Sequence, residues 1–335
     1  MDFIASNTWM IAGFTLSLIS VISNDSLQTL GPYLLANQNR IPKSWQMTFL
    51  CTITVSVLML GWLLNGGDPA WGRLDVASHS FPQPAIFTWV YLIPPLAILL
   101  LTQWGAPAST SFLVLSTFEF RNSSSLIQIS LSGYIVAFLI GVITYGLGFW
   151  VFERWVFESN QSGSSIGNHW LIAQWLSTAF LWGVWLVQDL ANVFIFLPRQ
   201  LDLLPMLMCT FLLCFGLCWL IGIGGGPIQG VLRTKTNTSD VRSATAIDLL
   251  FGSCLFGCAW FTSFPLSTTW VFLGLLGGRE VALRFQSQRS DLKFANQDGG
   301  HWSQAVSQAV GSDLLKASIA LVVSVLIASG LQPLL

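Results

Sequence analysis

Charge is what this chain has least of. Its 335 residues include 14 Lys or Arg and 15 Asp or Glu, 9% in all, where ordinary soluble domains carry about 25%. So few charged side chains cannot cover the surface of a soluble protein of this length, and the mean hydropathy of +0.66 says the same. A disordered chain is excluded on the same ground. The net charge of −1 leaves no basic stripe to neutralise the phosphates of a polymer, so nucleic acid is not a partner. Histidine is nearly missing: His79, His169 and His301 are scattered in expected loops. The six cysteines contain no C-x-x-C pair and all lie in apolar stretches, which reads as packing rather than a disulfide framework or a metal site. The start, MDFIASNTWMIAGF, lacks the basic region of a signal peptide, so the first apolar stretch is expected to stay as a membrane helix.

What is present is hydrophobic sequence, 53% of the chain. Apolar runs fall at about 8–23, 44–65, 86–103, 126–152, 170–187, 203–223, 244–263 and 312–331, and a spanning helix needs about 20 such residues. The runs are long and lack strand alternation, so they read as helices. The fold class expected is an all-α polytopic membrane protein with about 10–12 membrane segments, some discontinuous or re-entrant. Shorter apolar pieces at 26–36, 106–118, 189–198 and 265–285 cannot span alone. Arg233, Lys235 and Arg242 form one basic loop, and Arg279, Arg284, Arg289 and Lys293 another, which the positive-inside rule places in the cytoplasm. The loop Gly66–Phe81 carries a single basic residue, Arg73.

Four polar islands interrupt this background: Ser23–Pro32 (SNDSLQTLGP), Ala106–Phe112 (APASTSF), Val187–Pro198 (VQDLANVFIFLP) and Phe264–Trp270 (FPLSTTW). They alternate in kind. Asp25 and Asp189 are 164 residues apart, and Ser109 and Ser267 are 158 apart. Asn24-Asp25 with Gln28 matches Gln188-Asp189 with Asn192, an amide before each Asp and another three residues after it. Two matched pairs at near-constant offset point to an internal duplication. Residues 1–155 form the first repeat, 156–168 the connecting loop and 169–335 the second repeat.

A carboxylate at membrane depth costs a few kcal/mol on insertion scales, and neither island holds Lys or Arg. Asp25 and Asp189 therefore call for a proton or a metal cation, unless they snorkel at helix ends. Na⁺ suits a set made of Asp25, Asp189, the amides of Asn24 and Gln188, and carbonyls freed by broken helices. Ser109, Thr110, Ser111 and Ser267, Thr268, Thr269 follow Pro107 and Pro265, as expected where a new helix starts. Helix starts offer free N–H groups and the positive dipole end to an anion, with Gln28 and Asn192 alongside. The plainer alternative is that the hydroxyls bond back to helix carbonyls. Two carboxylates and an oxyanion cannot share a low-dielectric site without cations, so cation and anion should bind together, which is the physical basis of symport.

At these residues the chain resembles the inorganic phosphate transporter (PiT) family, as a divergent member. That family carries a G-x-N-D-x-x-N-type and a P-x-S-(T/S)-(T/S)-H-type motif in each of two repeats. Phe264–Gly274 (FPLSTTWVFLG) is the closest piece, and Thr236–Gly252 is similar to the family's segment ahead of it, with Asp248 in the acidic place. The family's His is Trp270 here and Phe112 in the first half, and Gln188 and Gln28 stand where it has Asn. The resemblance implies inverted repeats, a homodimer, and Na⁺-coupled phosphate transport by alternating access, in the plasma (inner) membrane. Sulfate or another small oxyanion, and H⁺ as the coupling ion, are the alternatives. The protein is then not an enzyme, and Na⁺ serves as coupling ion with no cofactor. A membrane-embedded hydrolase is the weaker reading, since no His or Lys stands near the hydroxyls and no H-E-x-x-H or G-x-S-x-G motif occurs. A channel, or a paralogue that binds without transporting, completes the set. Arg279–Glu280 and Glu119/Arg121 are expected to face water, Glu153/Arg154 to mark a helix end, and Asp248 to serve the site or a structural hydrogen bond. Trp270, beside a site hydroxyl, is expected to shape or gate the site.

Overall fold

The computed structural model describes residues 2–76, 79–162, 166–225, 238–261, 265–289 and 310–335. Arg233, Lys235, Lys293, His301 and Phe264 lie outside them. The helices are α1 Asp2–Val21, α2 Leu27–Asn37, α3 Lys43–Leu64, α4 Ile93–Gln103, α5 Thr110–Phe118, α6 Ser123–Thr144, α7 Trp150–Gln161, α8 Asn168–Asp189, α9 Ala191–Phe194, α10 Leu203–Ile223, α11 Val241–Phe261, α12 Thr268–Arg289 and α13 Ser312–Leu331. A two-residue hairpin pairs β1 (Asp75–Val76) with β2 (His79–Ser80).

Seven helical stretches among the described residues are long and apolar enough to cross a membrane: 7–37, 43–64, 120–148, 168–194, 203–223, 241–259 and 312–334. Their outer faces carry large apolar side chains such as Leu64, Phe211 and Trp219, and Leu100 on the shorter α4 is exposed in the same way. Such a continuous apolar exterior suits acyl chains as its solvent.

The broken pieces differ in kind. Island one does not end a helix: α1 runs through a π-turn at Ile22–Ser26 directly into α2, which also holds Pro32. The π-turn loosens the i→i−4 ladder at Asn24 and Asp25. Proline has no N–H to give, so the Gln28 carbonyl loses its usual helical donor. Residues 26–36 are thus the end of a long helix rather than a separate short piece. Islands two and four each open a helix, α5 and α12. Island three ends α8 at Asp189, followed by the single turn α9. A second π-turn, Tyr145–Phe149, joins α6 to α7. Helix α7 reaches Gln161.

Helix α12 is seated by glycine. A Cβ on Gly274 would lie 2.3 Å from the Tyr134 carbonyl oxygen, and one on Gly278 would lie 2.1 Å from that of Phe138. This Gly-x-x-x-Gly face lets the backbones of α12 and α6 touch. It also fixes the start of α12, where island four sits, and Trp270 meets Tyr134 edge-on at 5.7 Å. Between α3 and α10, Cys51 Sγ lies 3.6 Å from Cys218 Sγ as ordinary packing.

Candidate functional site

The four islands meet in the interior. Asn24, Asp25, Gln28, Ser109, Thr110, Ser111, Gln188, Asp189, Asn192, Ser267, Thr268 and Thr269 are all buried. The contacts between the earlier pair of islands and the later pair are reciprocal. Thr269 Oγ1 lies 3.0 Å from Asp25 Oδ1 and 3.1 Å from the Ala108 carbonyl, able to donate its one proton to either. Ser111 Oγ lies 3.4 Å from Asp189 Oδ1 and 3.4 Å from the Leu266 carbonyl. The third hydroxyl of each triplet thus reaches the Asp of the other half and the carbonyl just before the other triplet. Thr268 Oγ1 adds a 2.6 Å bond to Asp189 Oδ2.

The amides extend this set. Asn24 Nδ2 donates to Asp25 Oδ1 at 2.8 Å and to the Ala108 carbonyl at 2.7 Å, with Thr110 Oγ1 at 3.4 Å. Gln28 Nε2 donates to Asn24 Oδ1 at 3.0 Å. Asn192 Nδ2 donates to Ser111 Oγ at 2.9 Å and to Asp189 Oδ1 at 3.3 Å, and the Asn192 carbonyl accepts from Ser17 Oγ at 2.7 Å. Gln188 sits differently: its Nε2 points at the Leu255 carbonyl, 3.4 Å away, and its Oε1 accepts from the Arg73 guanidinium.

Several oxygens are left over. Gln28 Oε1, Asn192 Oδ1 and Ser267 Oγ are buried without a hydrogen-bond partner. Asp25 Oδ2 has no bond of good geometry either, although the Thr110 hydroxyl lies beside the carboxyl. Buried acceptors without donors are costly, and carboxylate and amide oxygens of this kind are ligands a hard cation takes. Donors for an anion come from the helix starts. At α5 the Ser109 hydroxyl accepts from Phe112 N at 3.1 Å, which leaves the first N–H groups of the helix unpaired within it. At α12 the first turn closes onto the Ser267 carbonyl.

Arg73 also reaches this cluster, through Gln188, and local sequence reasoning missed it. It lies far from the islands in sequence, in the loop between α3 and α4, yet its side chain is buried and its charge bears on Asp189. The one signal was its isolation as the sole basic residue of Gly66–Phe81.

Three other charged groups stand differently from their expected places. Arg279 and Glu280 do not face water: both are fully buried, Arg279 bridging Glu280 at 3.0 Å and Glu153 at 2.9 Å. Glu153 likewise is fully buried rather than an exposed helix end, and accepts from Ser243 Oγ at 2.7 Å. Opposite charges on α7 and α12 pull these groups inside together. Asp248 is buried on α11 and accepts from Thr178 Oγ1 on α8 at 2.5 Å. Glu119 and Arg121 stay at the periphery, with Arg121 exposed.

Fold and site together define an all-α polytopic integral membrane protein whose interior gathers two carboxylates and two hydroxyl-bearing helix starts. No family model and no curated protein matches its sequence. Its fold is similar to that of a solved structure described as "The sodium-dependent phosphate transporter", with a TM-score of 0.58 and 14% identity over 98% of both chains. At that identity the likeness speaks for the fold.

Proposed function

We propose that this chain is a secondary active carrier that moves inorganic phosphate with Na⁺ by alternating access between two inverted repeats. The observation that carries the reading is the reciprocal pair, Thr269 to Asp25 and Ser111 to Asp189. Each half completes the other's carboxylate, so a cation and an anion bound there would both lie on the seam between the halves. Rocking one half against the other would then open that seam to either side. The unpartnered oxygens of Gln28, Asn192 and Asp25 support a Na⁺ site. The starts of α5 and α12 support an oxyanion site with Ser109, Thr110, Ser111, Ser267, Thr268 and Thr269. The structurally similar sodium-dependent phosphate transporter supports phosphate and sodium as the pair.

A second reading, a sulfate carrier, is favoured by Phe112 and Trp270. Both are buried aromatic groups where the resembling family has a titratable His, and sulfate has no proton to exchange near neutral pH. The test is uptake of labelled phosphate into proteoliposomes under an imposed Na⁺ gradient, with unlabelled sulfate as competitor. Na⁺-driven phosphate uptake resistant to sulfate supports the first reading. No uptake of either anion under Na⁺ or H⁺ gradients rejects both.

A further inference from the structure

The loop that supplies Arg73 is tied down at several points. Asp68 caps the N–H groups of Ala70 and Gly72 at 2.7 and 2.8 Å, folding the turn that carries Trp71 and Arg73. The Trp71 indole occupies the space a Cβ on Gly61 would need. On the other side the loop is tied to the segment after α9. Gly67 O accepts from Leu201 N at 2.9 Å, Arg199 Nε meets Asp75 at 3.1 Å and a further Arg199 nitrogen donates to the Phe81 carbonyl, and Gln83 donates to the Leu197 carbonyl. These ties aim one guanidinium at Gln188, the residue before Asp189. Arg73 Nε is buried with no hydrogen-bond partner.

Among the described residues, the Asp25 side has no counterpart. Asn24, which precedes Asp25, donates to Asp25 and to Ala108 O, and no Arg or Lys bonds to it among the described residues. The two carboxylates are therefore unequal in their surroundings: the residue before Asp189 holds a guanidinium fixed to the protein, and the residue before Asp25 holds no Arg or Lys among the described residues.

We propose that Arg73 is a fixed counter-charge of the transport site, standing in for a mobile cation at the Asp189 half and leaving the Asp25 half as the place where Na⁺ binds. The inference rests on the carrier reading above and deepens it. Before the anion arrives, Asp25, Asp189 and Arg73 sum to a single negative charge, since an arginine stays protonated. One Na⁺ neutralises that set. Without Arg73 the same site needs two. Arginine suits the task because its charge never leaves.

The experiment counts ²²Na⁺ bound at saturation by the purified full-length chain without phosphate, for wild type, R73Q, R73K, D25N and the double variant R73Q/D189N. The wild type should bind about one Na⁺, R73Q about two, R73K about one, and R73Q/D189N should lose the extra ion, as charge neutrality in a low-dielectric site requires. D25N should bind none, an outcome that does not depend on R73Q folding. An R73Q chain that binds as many ions as wild type, or a D25N chain that still binds Na⁺, overturns the assignment. A wild type that binds no Na⁺ overturns the carrier reading together with it. Phosphate uptake that is sound in wild type while R73Q shows no extra ion rejects only the role of Arg73.

Discussion

Thr269 approaches Asp25 to 3.0 Å across 244 residues of sequence. The bond joins the first turn of α12 to the π-turn between α1 and α2, and so, in the proposed carrier, couples the anion-binding element to the Asp25 carboxylate. A hydrogen bond to a charged group contributes about 1.5–3 kcal/mol. T269V should therefore weaken phosphate-dependent uptake by roughly 10- to 100-fold, with S111A affecting the Asp189 half in the same direction. Initial uptake rates against phosphate concentration check this, and an unchanged half-saturation constant in both variants would contradict it.

Asp25→Asn and Asp189→Asn should each abolish Na⁺-coupled uptake while leaving expression and monodispersity in detergent intact. In the proposed charge set, the first removes the carboxylate of the cation site, and the second leaves Asp25 and Arg73 summing to zero, so neither variant holds a Na⁺ there. Normal coupled transport in both variants would remove these residues from the site.

Gly278 has no room for a side chain, with the Phe138 carbonyl oxygen 2.1 Å from where Cβ would be. Gly278→Val should push α12 off α6 and cost at least the 1–3 kcal/mol typical of overpacking. A lowered midpoint of thermal unfolding in detergent is the expected result. Gly146, with nothing near its missing Cβ, is the control, and Gly146→Ala should keep or modestly raise the midpoint, since alanine is the better helix former.

Arg279 is held by Glu153 and Glu280 with all three side chains fully buried. Removing one partner of a buried pair costs about 3–5 kcal/mol, whereas replacing the pair with apolar groups is often neutral. E153A should thus lower the unfolding midpoint, and the triple variant R279M/E153L/E280L, which removes the whole buried group, should recover much of it. Equal losses in the single and triple variants would contradict the coupling.

Asp240 lies just ahead of α11. Burial acts to raise its pKa, but the bonds from Arg242 and Asn160 overcome this and hold it below the usual carboxylate value. A depressed folded pKa means that the stabilisation is fully present above the ordinary value of about 3.9. It is lost as pH falls through the lower folded value. Between pH 7 and acid, wild type should lose this increment and D240N, which lacks it throughout, should not. Unfolding midpoints measured across that range decide it.

What could be read from the sequence followed from rarity. Carboxylates and hydroxyl triplets stand out against an apolar chain, so the residues that gather at the seam could be named from local pattern and spacing. Burial of the other charges could not. Arg73, Glu153 and Arg279 look like loop or helix-end residues until partners distant in sequence are in place, and tertiary contact decides whether a charge is solvated or paired. Helix boundaries blurred for a related reason. The π-turn at Ile22–Ser26 carries Asn24 and Asp25 without breaking the helix, where polar residues read as an interruption. Helix α7 continues α6 with a mixed polar surface that carries no spanning signal.

The central claim is that cation and anion share one site on the seam between the halves. Phosphate affinity of the purified chain, measured with and without saturating Na⁺, tests it directly, along with Na⁺ affinity with and without phosphate. The account predicts that each ligand tightens the other by the same factor, of order tenfold or more, because binding linkage is reciprocal. Affinities that do not depend on the other ligand would contradict it.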